Sequence, residues 1–166
     1  FYLNEQEIAD RFEEMILAYT EESGERFPLR RDPPGSGLVF ESDKFSKMIN
    51  SLYVVDEEEF RGGTLDRDLL YKASEKCRLA YLEGAYLRFG EKGANAISMA
   101  NGYTKIVTLA HLLEGFGCKQ VRIYKFEAFP TSYMTVFTPS EEIKNLLPIS
   151  RELSEEEMKG YEEVKK

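Results

Sequence analysis

Two β-prone runs, residues 121–129 and 133–138, flank the tripeptide Pro130-Thr131-Ser132. β-branched and aromatic side chains dominate both runs, and a short proline-led break between them reads as a hairpin loop. The segment before the hairpin is less plain. In residues 94–100, Ile97 and Met99 alternate as in a strand, whereas the alanines and Met99 also suit a helix. Asn101-Gly102 signals a turn. Residues 103–114 then carry Ile106, Leu109, Ala110 and Leu113 at helical spacing, and Gly115 and Gly117 close the helix. With residues 96–100 as a strand, residues 96–126 become a βαβ unit with a right-handed crossover.

Helical patterns dominate the first half. Asn4 is placed to cap a helix, with Glu7 completing a capping box and Leu3 and Ile8 a hydrophobic staple. Ile8, Phe12, Met15, Ile16 and Tyr19 share its inner face, and Gly24 is the expected stop. Residues 28–37 hold three prolines and two glycines and read as a loop. Leu38-Val39-Phe40 suits a short strand. Residues 42–50 suit a short helix with Phe45, Met48 and Ile49 inward, and Tyr53-Val54-Val55 is β-prone.

Thr64 is the expected cap of a long helix over residues 65–89. Leu70, Ala73, Cys77, Ala80, Gly84 and Leu87 recur there at spacings of three or four. Small residues on one stripe allow close backbone approach, so this stripe is expected to face a tightly packed neighbour. Thr138-Pro139-Ser140-Glu141 and Ser154-Glu155-Glu156-Glu157 both have the form of capping boxes. They predict two more helices, the last over about residues 154–164 and weakly packed for want of apolar residues.

The composition is that of a globular protein. The chain has 166 residues, 42% of them hydrophobic, with eleven Phe and ten Tyr. That length fits a single domain, residues 1–166. No apolar run is long enough for a bilayer-spanning helix. Two cysteines and one histidine exclude a Cys/His zinc cluster and a disulfide-dense scaffold. Cys77 and Cys118 are expected as buried free thiols, with a single bridge as the alternative. Scarce cysteine suits a cytoplasmic protein, although a removed signal peptide would leave no trace in the sequence.

The net charge is −8, placed mainly at the ends. Residues 1–26 hold 8 acidic and 2 basic side chains, residues 151–166 hold 6 and 4, and residues 65–150 hold 9 and 11. No basic stripe is available for a nucleic-acid backbone.

Candidate sites are few. Asn101, Gly102, Thr104 and Lys105 open a helix, where backbone N–H groups could hold an anion or phosphate. The spacing is not that of a Walker A loop. His111 is the lone histidine and shares a helix face with Thr104 and Thr108. It is either a surface residue or, with Arg122, part of a ligand pocket beside that turn. Asp56, Glu57, Glu58 and Glu59 come after a β-prone segment and read as a solvated acidic loop or a partner-facing one. Arg30 and Arg31 sit in the proline-rich loop. With the aromatics Tyr103, Tyr124, Phe126, Phe129, Tyr133 and Phe137 they suggest recognition rather than chemistry, although core and cross-strand packing would also use these rings. Neither a catalytic constellation nor a metal or cofactor motif is present in the sequence.

These readings combine into an α+β fold: a helical layer on a small, mostly antiparallel sheet containing the 121–138 hairpin. The expected function is that of a small acidic non-enzymatic protein-binding module. It would act on a basic partner protein, in an inhibitor or immunity-type role, without contacting membranes or nucleic-acid backbones. The alternative is an enzyme binding a small molecule or phosphate near residues 101–105.

Overall fold

The computed structural model describes residues 5–27, 41–54 and 64–166. Leu3, Asn4, the loop with Arg30 and Arg31, the expected strand at residues 38–40, and the acidic run Asp56 to Glu59 lie outside the described residues. The chain divides into two compact units, Phe1–Glu57 and Glu58–Lys166.

The first unit contains helices α1 (Gln6–Ser23) and α2 (Asp43–Asn50) and the two-residue strand β1 (Tyr53–Val54). Gly24 ends α1 with φ +68°, its N–H donating to the Thr20 carbonyl at 3.0 Å. Such left-handed backbone favours glycine. Burial on α1 centres on Ala9 and Ile16, whereas Met15 and Tyr19, expected inward, are exposed. Aromatic rings take their place: Phe12 meets Phe45 edge-on at 5.5 Å, and Phe45 meets the buried Phe27 at 5.7 Å. Ser42 caps α2 through the Phe45 N–H.

The second unit begins with β2 (Thr64–Leu65), then α3 (Arg67–Lys72) and α4 (Glu75–Phe89). The single helix predicted over residues 65–89 is therefore two, and their N-cap positions are Asp66 and Ser74, not the expected position 64. Asp66 accepts from the N–H groups of Asp68 and Leu69 at 2.9 and 3.2 Å, and Ser74 accepts from Cys77 N–H at 3.3 Å. Two good N-cap residues eight positions apart each start their own helix, with Ala73 extended between them. Leu70, the first residue of the expected stripe, is buried on α3, but on α4 the stripe faces the other way. Cys77, Ala80, Gly84 and Leu87 are exposed, while Leu82 and Tyr86 enter the core. Burying the large side chains removes more apolar area from water than burying alanine and glycine, so they decide which face turns inward.

Strands β3 (Ala96–Ala100), β4 (Lys119–Phe126), β5 (Ser132–Thr138) and β6 (Tyr161–Val164) form one sheet in the order β3-β5-β4-β6. Every neighbouring pair is antiparallel. β3 and β4 consequently run parallel to each other with β5 between them, and α5 (Tyr103–Gly115) makes the crossover. The 96–100 segment is thus a strand, the hairpin forms as its sequence predicts, and the fold is α+β.

One face of the sheet, with Ile97, Met99, Val121, Ile123 and Phe137, packs on α5, α4 and the short α6 (Glu141–Leu146). α6 is capped by Ser140, not by Thr138 as the expected box would have it, and Ile143 and Leu147 anchor it in the core. Tyr86 ties α4 to the approach to β3, its hydroxyl donating to the Ala94 carbonyl at 2.7 Å.

The predicted C-terminal helix is absent. Residues 155–160 form turns and Tyr161–Val164 is an edge strand. The Ser154–Glu157 box is made nonetheless, as a local turn: Glu157 N–H donates to Ser154 Oγ, and the Ser154 N–H and hydroxyl donate to Glu157 Oε2. Gly160 comes three residues later at φ +90°, which a helix cannot accommodate.

Candidate functional site

The residues singled out around the β3–α5 turn have separate local roles. Asn101 takes φ +52° and its N–H donates to the Thr131 carbonyl at 2.8 Å, joining the turn to the hairpin loop. Gly102 packs so closely that a Cβ there would lie 2.6 Å from Met99 Cβ. The Thr104 carbonyl accepts from the Thr108 hydroxyl at 2.9 Å. Lys105 is exposed. His111 is 47% exposed and lies 3.5 Å from the Glu114 carboxylate, which also meets Lys166. Arg122 is elsewhere. Its neighbours Val121 and Ile123 point into the helix-covered core, so Arg122 projects from the opposite face of the sheet, where it pairs with Glu163 at 3.3 Å. The α5 end and Arg122 therefore do not share a pocket.

The aromatic set divides. Phe137 is core, Tyr103 packs on Tyr133 at 5.1 Å, Phe126 packs on Tyr161 at 5.0 Å, and Phe129 is fully exposed at the hairpin tip. Tyr124 is different, because it lines a cleft.

This cleft lies on the face of the sheet away from α5, has a volume of about 350 Å³, and is lined by Tyr124, Val136, Leu153, Glu155, Met158 and Tyr161. Alternation along the strands places Tyr124 and Val136 on this face, opposite Ile123 and Phe137. The remaining wall is a strap formed by residues 148–160. Ser150 N–H donates to the Gly93 carbonyl at 2.8 Å, and Leu153 N–H donates to Asn95 Oδ1 at 2.9 Å. Arg151 Nη1 donates to Glu157 at 2.9 Å. Three hydrogen bonds, from Arg151 and from the N–H and hydroxyl of Ser154, hold the Glu157 carboxyl well below the usual carboxylate range, at about 2. β6 then docks against β4 and carries Tyr161 to the far side of the cleft.

The lining residues Leu153, Glu155, Met158 and Tyr161 were not expected as a site, because residues 154–164 read as a helix. Gly160 was the available signal. A box at Ser154 with a glycine six residues on leaves room for little more than one turn.

Among the described residues no cluster of three His, Cys, Asp or Glu side chains could hold a metal ion. No described helix is long and apolar enough to cross a membrane. No family model matches the chain, and no curated protein and no solved structure matches it either.

Proposed function

We propose that this chain is a small acidic, non-enzymatic binding module for another protein, one that presents a basic surface, with an inhibitor or immunity-type role as one form of that activity. The observation that carries this reading is the state of the carboxylates on the strap. Glu152, Glu155 and Glu156 are exposed and their carboxylates make no ion pair or hydrogen bond among the described residues, whereas the Glu157 carboxylate is held by Arg151. Unpaired surface carboxylates beside an apolar, aromatic cleft favour a partner offering both positive charge and apolar contact. The net charge of −8 would steer such a partner at low ionic strength.

The test is native mass spectrometry on the protein isolated gently from its own cells, and then association kinetics with any protein recovered. A stoichiometric basic protein whose association slows steeply with salt supports the reading. Recovery of a small molecule alone, or of a protein whose association ignores salt, removes it.

A further inference from the structure

Resting on that reading, we infer that the cleft between β4, β5 and the strap is the seat for an arginine side chain presented by the partner protein. Three features of the cleft select this occupant.

The first is charge. Two carboxylates beside the cleft are already engaged: Glu163 by Arg122 at 3.3 Å and Glu157 by Arg151 at 2.9 Å. The side chains of Glu152, Glu155 and Glu156 have no partner among the described residues, and of these three Glu155 is the one that lines the cleft. A free carboxylate on a cavity wall rejects anions and offers a planar two-oxygen acceptor. The guanidinium group fills such an acceptor with two parallel N–H donors.

The second is the character of the walls. Val136, Leu153 and Met158 provide aliphatic and thioether surface for the methylene stem of a long cationic side chain. Tyr124 and Tyr161 add aromatic faces, on which a guanidinium stacks better than an ammonium. A simple apolar occupant would leave the Glu155 charge without a counter-charge.

The third is size. A volume of about 350 Å³ lies at the small end of the range for ligand pockets, suited to one side chain with its flanking backbone. The strap fixes the shape of the cleft beforehand through the Leu153–Asn95 bond and the Ser154–Glu157 turn, so little ordering is required on binding.

The test is an amide-resolved NMR titration of the full chain. The probe is a capped Gly/Ser hexapeptide carrying a single arginine, and its control is the same peptide with citrulline, which keeps the shape and loses the charge. The expected result is saturable shifts at Tyr124, Leu153, Glu155, Met158 and Tyr161 with the arginine peptide, and at least about fivefold weaker binding with citrulline. Glu155→Gln should weaken the arginine peptide by a similar factor, and because Glu155 is exposed and unpaired this variant should fold normally. Tyr124→Leu should also weaken it while leaving the rest of the spectrum in place.

Shifts confined to another surface, equal binding of citrulline, an unaffected Glu155→Gln variant, or absence of saturation would each overturn the assignment. The two proposals fail separately. A basic protein recovered from cells that binds Glu155→Gln as tightly as the parent overturns the cleft and leaves the basic-partner reading standing. An isolate containing no protein partner overturns that reading whatever the peptide does.

Discussion

Asn95 holds the strap to the sheet with both ends of one amide. Its Oδ1 accepts the Leu153 N–H at 2.9 Å while its Nδ2 donates to the Phe137 carbonyl at 2.8 Å. Residues 58 positions apart are joined through a side chain that is only 7% exposed. Backbone groups buried in this way incur their full desolvation cost when a partner is removed.

Asn95→Ala should therefore destabilise the chain by about 2–3 kcal/mol, since one donor and one acceptor lose their partner together. Asn95→Asp keeps the acceptor for Leu153 but places an oxygen against the Phe137 carbonyl, so it should not restore stability. Urea unfolding measures the loss. Amide exchange should show the strap, and Leu153 first, opening before the β4–β5 hairpin. A uniform loss of protection across the sheet would mean that the strap is not separately held.

Glu157 makes the strap sensitive to acid. Its pKa in the folded chain is lowered to about 2 from an ordinary 4.5, chiefly by the hydrogen bond from Arg151 and then by those from Ser154. A depressed carboxylate contributes stability that is fully present above its unfolded pKa and is lost as pH falls through its folded pKa. The strap turn should thus hold near pH 5 and weaken progressively from about pH 4.5 toward pH 2. The Ser154 amide, 3.0 Å from the carboxylate, reports this directly by its chemical shift. A midpoint near 4.5 instead of 2 would show that the Arg151–Glu157–Ser154 contacts do not form in solution.

The parts of the fold that were legible in sequence are those where one local rule acts without a rival. The 121–138 hairpin and the α5 helix have strong periodicity and clear turn residues, and they form as read. The 65–89 segment misled because a regular spacing of small residues is compatible with either face of a helix. Only the volumes of Leu82 and Tyr86 decide the matter, and they do so through tertiary packing. The C-terminal segment misled for a different reason. A capping box specifies hydrogen bonds over four residues and does not constrain the chain beyond them. Here β pairing of Tyr161 to Val164 with β4 takes the chain into the sheet. The cleft was invisible for that reason, since half its lining comes from the misread segment, and its long-range tie, Asn95 to Leu153, leaves no mark in local sequence.

The reversed stripe on α4 gives a sharp test of side-chain placement. Gly84 sits within the helix, exposed, and a Cβ added there would meet nothing within 4 Å among the described residues. Gly84→Ala should stabilise the chain by about 0.5–1 kcal/mol through helix propensity and a less flexible unfolded state. Had the stripe faced a close neighbour, the same change would destabilise. Thermal unfolding of the two chains side by side gives the sign, and a loss of stability would contradict the orientation of α4.

The two cysteines should differ in reactivity. Cys77 is exposed near the start of α4, whereas Cys118 is buried and its thiol is pushed up by burial, partly offset by hydrogen bonding with Ser140. The thiolate is the reactive form, so burial disfavours Cys118 both by blocking access and by raising its pKa. With a colorimetric disulfide reagent at pH 8, one thiol should react at once. The second should lag by a factor on the order of 100 until urea opens the core. Peptide mapping should place the first label on Cys77. Prompt labelling of both would mean that the α5–β4 corner opens readily.

Thr135 lies at the centre of β5, fully buried, and its hydroxyl has no hydrogen-bond partner among the described residues. Its cross-strand neighbours are Ile97 on one side and Ile123 on the other, both core residues. A hydroxyl in that position keeps the desolvation cost of a polar group and gains nothing in return. Valine has nearly the same shape, keeps the β-branching that suits a strand, and carries no polar atom. Thr135→Val should accordingly raise stability by about 1 kcal/mol, read as a higher urea midpoint at unchanged slope. A destabilised Thr135→Val variant would mean that the hydroxyl finds a partner in solution, and Thr135→Ser, which keeps the hydroxyl and loses the methyl, would then be the milder change.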